Sequence, residues 1–181
     1  SRQKASFADG FAWSDKKFRF APNWEETRLM RNVEWVCDPA DMPRFADYFA
    51  ANEPNDQEHP FRLATSPARA FLNTTFNETP GSQKKEKSPR AFIHPDDAKM
   101  LNIVDGQMIE IGNRRGEIIL NACIFDGLQR GVVIVEGLHK NSEHQDGLGI
   151  NTLTSADPIP PFGGAAFHDC AVWVKPAKTQ D

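Results

Sequence analysis

Residues 92–135 read FIHPDDAKMLNIVDGQMIEIGNRRGEIILNACIFDGLQRGVVIV, and this stretch decides the fold. Short apolar segments alternate in it with turns that contain glycine, such as residues 113–116. The continuous apolar run at residues 132–135 is typical of a strand that is buried on both faces. Pro95, followed by two aspartates, predicts the start of a short helix over residues 94–102. The stretch therefore predicts a β-rich domain.

Similar apolar segments lie on both sides of this stretch and add strands to the domain. Strands are predicted at residues 61–65, 92–93, 108–111, 117–124, 132–135 and 171–174. Because every strand is short and followed by a turn, we expect an antiparallel sandwich or a small closed barrel, in which closure removes exposed edges. The lysine-rich residues 81–89 are predicted to form an exposed loop, and Arg114 and Arg115 to lie in a solvated turn.

The first 58 residues differ from the rest of the chain. Apolar alternation with turn residues predicts a short hairpin over residues 7–20, and Pro43 favours a helix over residues 42–51. The polar, acidic residues 51–58 are typical of a linker. We therefore expect an N-terminal connecting segment, 1–58, followed by a β-domain, 59–181.

Composition excludes several classes of function. The chain has 181 residues, of which 39% are hydrophobic and 25% charged, so it has the composition of an ordinary globular protein. Its net charge of −4 argues against a general binder of nucleic acid or of anionic membranes. No apolar run approaches the roughly 20 residues that span a bilayer. The three cysteines form no C-x-x-C pair, which argues against a structural zinc site or an iron–sulfur site within this segment.

Two polar loops are the candidate binding segments. Residues 65–75 follow an apolar strand and combine hydroxyl groups, an amide and Arg69, a set that can bind an oxyanion together with backbone amides. Residues 147–157 are rich in glycine and carry Asn151 and Thr154, which offer the donors and acceptors that a heterocyclic ring edge requires. The residues alone leave open whether each loop binds a ligand or is an elaborate turn.

The order of short motifs along the chain resembles that of one family. These motifs are TSPAR at 65–69, IHPDDA at 93–98, LNIVDG at 101–106, NRRG at 113–116, GVV at 131–133, NTLT at 151–154, DP at 157–158 and FHDCAVWV at 167–174. Their common order over residues 59–176 resembles the C-terminal dinucleotide-binding domain of the molybdopterin oxidoreductases, the dimethyl sulfoxide reductase family. That family includes formate dehydrogenases, nitrate reductases and sulfoxide reductases.

The resemblance implies a fold, a cofactor and a set of site residues. The implied fold is mainly β, a six-stranded double-psi β-barrel with short helices, preceded here by an irregular or hairpin extension. The implied cofactor is molybdopterin guanine dinucleotide, in the bis-form with molybdenum in the full-length enzyme. The implied cofactor-binding residues are Thr65, Ser66, Pro67, Ala68, Arg69, Phe71, Asn73, Thr74, Asn151, Thr154 and His168.

The resemblance also implies that this chain is part of a larger molybdenum oxidoreductase. The molybdenum ligand and an iron–sulfur cluster would then belong to regions N-terminal to it, so we expect no catalytic and no metal-binding residue here and no activity of this segment alone. Its partners would be the remaining domains of the same polypeptide and an unidentified electron-transfer partner, with no nucleic acid and no membrane contact. The chain begins with serine, which favours a processed or excised piece.

Two alternatives remain open at this stage. The first is a stand-alone double-psi barrel that acts as a protein-interaction or adaptor module. The second is a small barrel enzyme such as a decarboxylase, whose prosthetic group arises by self-processing at a Gly-Ser pair, for which Gly81-Ser82 is a candidate.

Overall fold

The computed structural model describes residues 5–31, 36–45, 47 and 53–178. The chain divides into two compact units. One unit comprises Ser1–Ala51 with Asp157–Ala165, and the other comprises Asn52–Ala156 with Ala166–Asp181. The second unit contains the polar loop at residues 65–75 and all of the polar loop at residues 147–157 except Asp157. The predicted domain boundary at residue 58 stays a prediction.

A closed six-stranded barrel forms the second unit. The strands of the chain are β1 (Phe61–Ser66), β2 (Arg90–Ile93), β3 (Met108–Asn113), β4 (Gly116–Ile124), β5 (Val132–Glu136), β6 (Pro158–Ile159), β7 (Gly164–Ala165) and β8 (Cys170–Pro176). The order around the barrel is β1-β5-β2-β4-β3-β8, while β6 and β7 pair in the first unit. This confirms the predicted barrel, and the antiparallel sandwich is wrong. The β1–β5 and β2–β4 pairs are parallel, and the other pairs of the barrel are antiparallel.

The barrel interior is an aliphatic core. Its fully buried large side chains are Leu63, Ile93, Ile109, Ile111, Ile118, Val133, Val135, Leu153 and Val172. In β5, Val133 and Val135 are buried while Val132 and Ile134 are only half-buried. The prediction of a strand buried on both faces is therefore wrong at this position. A closed barrel has a single packed interior, so alternate side chains of each strand point outwards.

The helices are short. They are α1 (Trp24–Arg31), α2 (Pro80–Glu86) and α3 (Pro95–Met100), with 3-10 helices at Pro39–Asp41, Asn141–Glu143 and Ile150–Leu153. The α3 helix confirms the predicted helix, with His94 as its N-cap. The predicted loop over residues 81–89 is wrong in its first part, because Thr79 caps α2 and Pro80 occupies its first turn. No helix among the described residues is long and apolar enough to span a membrane.

The first unit contains α1, one 3-10 helix and the β6–β7 pair. Residues 5–20 form turns, with a backbone bond from Phe11 N to Lys16 O, but the predicted hairpin strands are not formed there. The rings of Phe18 and Phe20 have centroids 4.8 Å apart. The predicted helix over 42–51 lies largely outside the described residues, and its described beginning, 42–45, is not helical.

Candidate functional site

Strand register brings the loop after β1 and the predicted site residue His168 to one end of the barrel. Ser66 at the carboxyl end of β1 pairs with Glu136 at the carboxyl end of β5. Because β1 and β8 are antiparallel, with Leu63 opposite Cys170, the residues just before β8 lie at this same end. The β3–β4 turn lies there too, since β3 is also antiparallel to β8, with Gly112 opposite Trp173, and runs towards the start of β8. We call this the loop end of the barrel.

Thr65 and His168 meet at the loop end although 103 positions separate them in the sequence. The hydroxyl Oγ1 of Thr65 lies 2.9 Å from Nδ1 of His168. Arg62 supports the contact, because its guanidinium donates to the carbonyl oxygen of Asp169 at 2.9 Å. The ring of His168 also packs on Phe167, with centroids 4.5 Å apart. The structure therefore unites two residues that the resemblance assigns to the same site.

The segment 66–75 is held in place by buried side chains, and the tip of the segment is exposed. Ala68 and Phe71 are buried, and the Phe71 ring packs edge-on against His139 at 5.2 Å. Their side chains support the loop, whereas Pro67, Asn73 and Thr74 are exposed. The tip is a tight turn closed by paired backbone bonds between Leu72 and Thr75, and Asn73 adopts a positive φ of 50°.

Helix α2 clamps the same segment from outside the barrel. A carboxylate oxygen of Glu86 accepts from the backbone N–H of Ala70 at 2.6 Å, and the hydroxyl of Ser82 donates to the Ala70 carbonyl at 2.8 Å. Ser82 is thus buried and engaged in packing. Gly81-Ser82 lies within a regular helix, so nothing about its setting favours the self-processing alternative.

Arg69 lies apart from the Thr65–His168 pair, in a surface pocket of about 460 Å³. The charged residues that line this pocket are Arg69, Lys85, Glu86, Arg90 and Glu136, and its apolar wall contains Phe92, Phe125, Leu128 and Ile134. Three cations beside two carboxylates leave a small excess of positive charge. Such a surface favours an anionic group next to an apolar one.

The segment 150–154 carries Asn151 and Thr154 at the loop end. Asn151 is exposed within the 3-10 helix Ile150–Leu153, whose Ile150 and Leu153 side chains are buried. Thr154 is half-buried, and its hydroxyl donates to the Asn151 carbonyl at 3.2 Å. The two apolar side chains thus hold the 3-10 helix against the barrel, while the side chain of Asn151 is exposed.

Arg115 and Asn113 hold this segment, although the sequence indicates only a solvated turn. Both donate to the Leu153 carbonyl oxygen, Asn113 Nδ2 at 2.8 Å and Arg115 Nε at 2.9 Å. Arg115 also forms a bidentate ion pair with Glu53, which holds the pKa of the Glu53 carboxyl below its usual value. The only signal in the sequence is the NRRG motif, whose pattern does not show what Arg115 contacts.

Two buried histidines lie close to the segments of the loop end. The imidazole of His139 pairs with Glu143 at 3.0 Å. His144 is 7% exposed, and its Nδ1 has no hydrogen-bond partner among the described residues. Burial lowers the pKa of the His144 imidazole, because the charged form loses its hydration. No cluster of three or more metal-binding side chains occurs among the described residues.

Sequence comparison identifies the family of this chain. The family model described as "Molydopterin dinucleotide binding domain" matches residues 61–171. The chain belongs to this family. The match begins at the first strand of the barrel and ends within β8, so it covers every segment of the loop end. The predicted family and fold are confirmed, and the adaptor alternative is not favoured.

Curated relatives of this dinucleotide-binding domain are oxidoreductases. The probable oxidoreductase YoaE of Bacillus subtilis is 39% identical over 120 residues, which cover 66% of this chain and 18% of that protein. The biotin sulfoxide reductase of Cereibacter sphaeroides is 31% identical over 98 residues, covering 51% and 13%. The F420-dependent formate dehydrogenase 1 subunit alpha of Methanococcus maripaludis is 30% identical over 91 residues, covering 49% and 14%. The matched regions span less than a fifth of these relatives.

A solved structure shares the fold of this dinucleotide-binding domain. Acetylene hydratase from Pelobacter acetylenicus superimposes with a TM-score of 0.68 at 14% identity, over 93% of this chain and 24% of that protein. At this identity the likeness shows the fold alone.

The side chains at the loop end fit a dinucleotide cofactor. Such a cofactor presents phosphate oxygens, sugar hydroxyls and ring edges, all of which need hydrogen-bond partners. The exposed or half-buried predicted residues Thr65, Ser66, Asn73, Thr74, Asn151, Thr154 and His168 supply hydroxyl, amide and imidazole groups. Hydroxyl and amide groups are uncharged, so they can bind such a ligand without placing a negative charge beside its phosphates.

Proposed function

We propose that this chain forms one wall of the binding site for molybdopterin guanine dinucleotide in a larger molybdenum oxidoreductase. The observation that carries the proposal is the convergence of segments 65–74, 150–154 and 167–168 at the loop end. These segments are far apart in the sequence, and the residues that they expose there are mainly polar. The length of the curated relatives supports the larger protein, because the matched region is only a small part of each.

Each segment has its own task in this proposal. The hydroxyl and backbone groups of Thr65, Ser66 and Thr74 hold the dinucleotide, with Pro67, Ala68, Phe71 and Asn73 shaping that loop. Arg69 pairs with a phosphate or pterin oxygen. Asn151 and Thr154 bind a ring edge, and His168, oriented by Thr65, donates or accepts beside the pterin.

The chemistry of the whole enzyme is divided between cofactor and protein. When bound, the molybdenum cofactor supplies the redox step, and the full enzyme carries it in the bis-form. This chain binds and orients the dinucleotide, and hydrogen bonds to the pterin tune the electron density available to the metal. The molybdenum ligand, an iron–sulfur cluster and the contact with an electron-transfer partner belong to other domains, so this segment alone is inactive.

The mass of the native polypeptide tests the larger-enzyme part of the proposal. An antibody raised against residues 53–178 should detect, in the source cells, a band several times heavier than the 20.3 kDa of this chain. The purified band should contain molybdenum and release a guanine nucleotide on acid treatment. A band at 20.3 kDa without molybdenum would contradict the proposal and favour a barrel that works alone.

Asn151→Ala tests the assignment of the binding segment in the full-length protein. We expect the amount of guanine nucleotide released per polypeptide to fall several-fold, while the thermal unfolding midpoint changes little, because Asn151 is exposed. Asn121→Ala, which alters an exposed asparagine of β4 outside the three segments, is the matched control and should leave the nucleotide content unchanged. Equal nucleotide content and rate in both variants would remove Asn151 from the site.

A further inference from the structure

Two side chains of the β3–β4 turn converge on one backbone carbonyl. The Leu153 oxygen accepts from Asn113 Nδ2 at 2.8 Å and from Arg115 Nε at 2.9 Å. Leu153 ends the 3-10 helix that contains Asn151, and its side chain is fully buried. Leu153, two residues after Asn151, is therefore held in two ways: its side chain packs in the core, and its carbonyl group is bonded to the β3–β4 turn.

The other edge of the Arg115 guanidinium is occupied as well. Its Nη1 and Nη2 face the two carboxylate oxygens of Glu53, with Nη2 to Oε2 at 3.0 Å. Glu53 Oε2 also accepts from the backbone N–H of Ala171 in β8, at 3.3 Å. One planar side chain thus joins segments that are 62 and 38 positions away in the sequence. Lysine, a single point charge, cannot make the bidentate pair and the carbonyl contact together.

The backbone of the turn also packs directly against the Asn151 segment. A Cβ atom at Gly116 would lie 2.7 Å from Cγ2 of Thr152, closer than real Cβ contacts allow. Gly116 therefore lets the 3-10 helix approach the start of β4. This close packing is a second constraint on the residue next to Asn151, independent of the hydrogen bonds to Leu153.

We propose that Arg115 is a positioning residue for the cofactor, which sets the orientation of the Asn151 side chain and does not itself touch the dinucleotide. The inference rests on the proposed function, in which Asn151 binds a ring edge. A side chain that is held in its binding orientation before the ligand arrives loses less conformational freedom on binding. The network of Arg115, Asn113 and Glu53 supplies this order at the surface of the barrel.

Arg115→Lys in the full-length protein is the main test, with Arg115→Ala as the stronger variant. Arg114→Ala is the matched control, because Arg114 is the neighbouring arginine, its side chain is 78% exposed and it pairs with Asp56. We expect amide hydrogen exchange in residues 150–155 to rise about tenfold in Arg115→Lys, the factor that corresponds to about 1.4 kcal/mol, and to stay unchanged in the control. Exchange of the core amides of β4 reports whether each variant keeps the barrel.

A double-mutant cycle separates positioning from general support. If Arg115 acts through Asn151, Arg115→Lys lowers the bound guanine nucleotide several-fold in the native background but much less in the Asn151→Ala background. Equal losses in both backgrounds, or unchanged exchange in residues 150–155, would overturn the positioning role while leaving the proposed function intact. If Asn151→Ala itself leaves the nucleotide content unchanged, the site assignment fails, and the positioning role fails with it.

Discussion

The two ends of the barrel are closed in different ways. At the end that carries α3, the carboxylate of Asp97 accepts from the backbone N–H of Gly131 at 2.6 Å, and Asp105 accepts from Ile124 N at 2.8 Å. Those partners are 34 and 19 positions apart. At the loop end, the contact between Thr65 and His168 spans 103 positions.

This difference shows which end of the barrel is suited to bind a ligand. At the α3 end, the carboxylates of Asp97 and Asp105 hold nearby turns, so they are used for structure. The loop end is completed by side chains from distant segments, which leaves hydroxyl, amide and imidazole groups such as those of Asn73, Asn151 and His168 exposed. A binding site needs both this support and this exposure.

The largest expected effect is the loss of stability when a contact at the α3 end is removed. Asp97 is 3% exposed and accepts from Gly131 N, so Asp97→Ala leaves the N–H group of the half-buried Gly131 without its carboxylate partner. We expect a loss of about 2–3 kcal/mol in the free energy of unfolding, measured by denaturant titration. Asp97→Asn keeps an acceptor oxygen and should lose less. Guanine nucleotide per folded polypeptide should not change, and a specific loss of nucleotide would show that the two ends are coupled.

A smaller effect is expected for the clamp of α2 on the loop end. Glu86→Ala removes the carboxylate that accepts from Ala70 N and should cost about 1–2 kcal/mol locally. Hydrogen exchange in residues 67–75 should increase and the nucleotide content should fall, whereas Glu86→Gln, which keeps an acceptor, should stay near the native values. If loop exchange were the same in both variants, the clamp would have no part in ordering the segment.

The smallest effect concerns the pH dependence of the loop end. Burial lowers the pKa of His144 from its ordinary value of 6.5, against the opposite influence of Asp146 and Glu143. As the pH falls below 6.5, the unfolded chain takes up a proton that the folded chain does not, so the free energy of unfolding decreases until the lower folded pKa is reached. His144→Gln should flatten this part of the stability profile, below pH 6.5. Identical slopes in the native and variant proteins would contradict a buried neutral imidazole.

The positions of the barrel strands could be predicted from the sequence with small errors, whereas the short strands β6 and β7 were not predicted. The predicted strand at 61–65 is observed as Phe61–Ser66, that at 117–124 as Gly116–Ile124, and that at 171–174 as Cys170–Pro176. Apolar periodicity and glycine turns act over a few residues, so they are visible in the sequence itself. The same local reasoning failed at residues 81–89, where the composition indicates a solvated tip but Thr79 and Pro80 start a helix.

The supporting residues of the candidate site could not be predicted in this way. Arg115 looks like a solvated arginine in a turn, and Glu53 like part of a polar linker. Their roles come from the bidentate pair between them and from the bond of Arg115 to the Leu153 carbonyl. The sequence around an arginine looks the same whether its guanidinium faces water or pairs with a distant carboxylate. Only the structure, which shows the partner, distinguishes a solvated arginine from a supporting one.

The sequence by itself determined the family of this chain, the positions of its barrel strands and the polar character of segments 65–74 and 150–154. Only the tertiary structure decided that β1 pairs with β5 and β8, that Thr65 meets His168, and that Arg115 holds the Asn151 segment. The physical reason is the distance along the sequence over which each kind of interaction acts. Propensities and turns are set by neighbours along the chain, whereas strand pairing and ion pairs depend on which distant segments the closed core brings together.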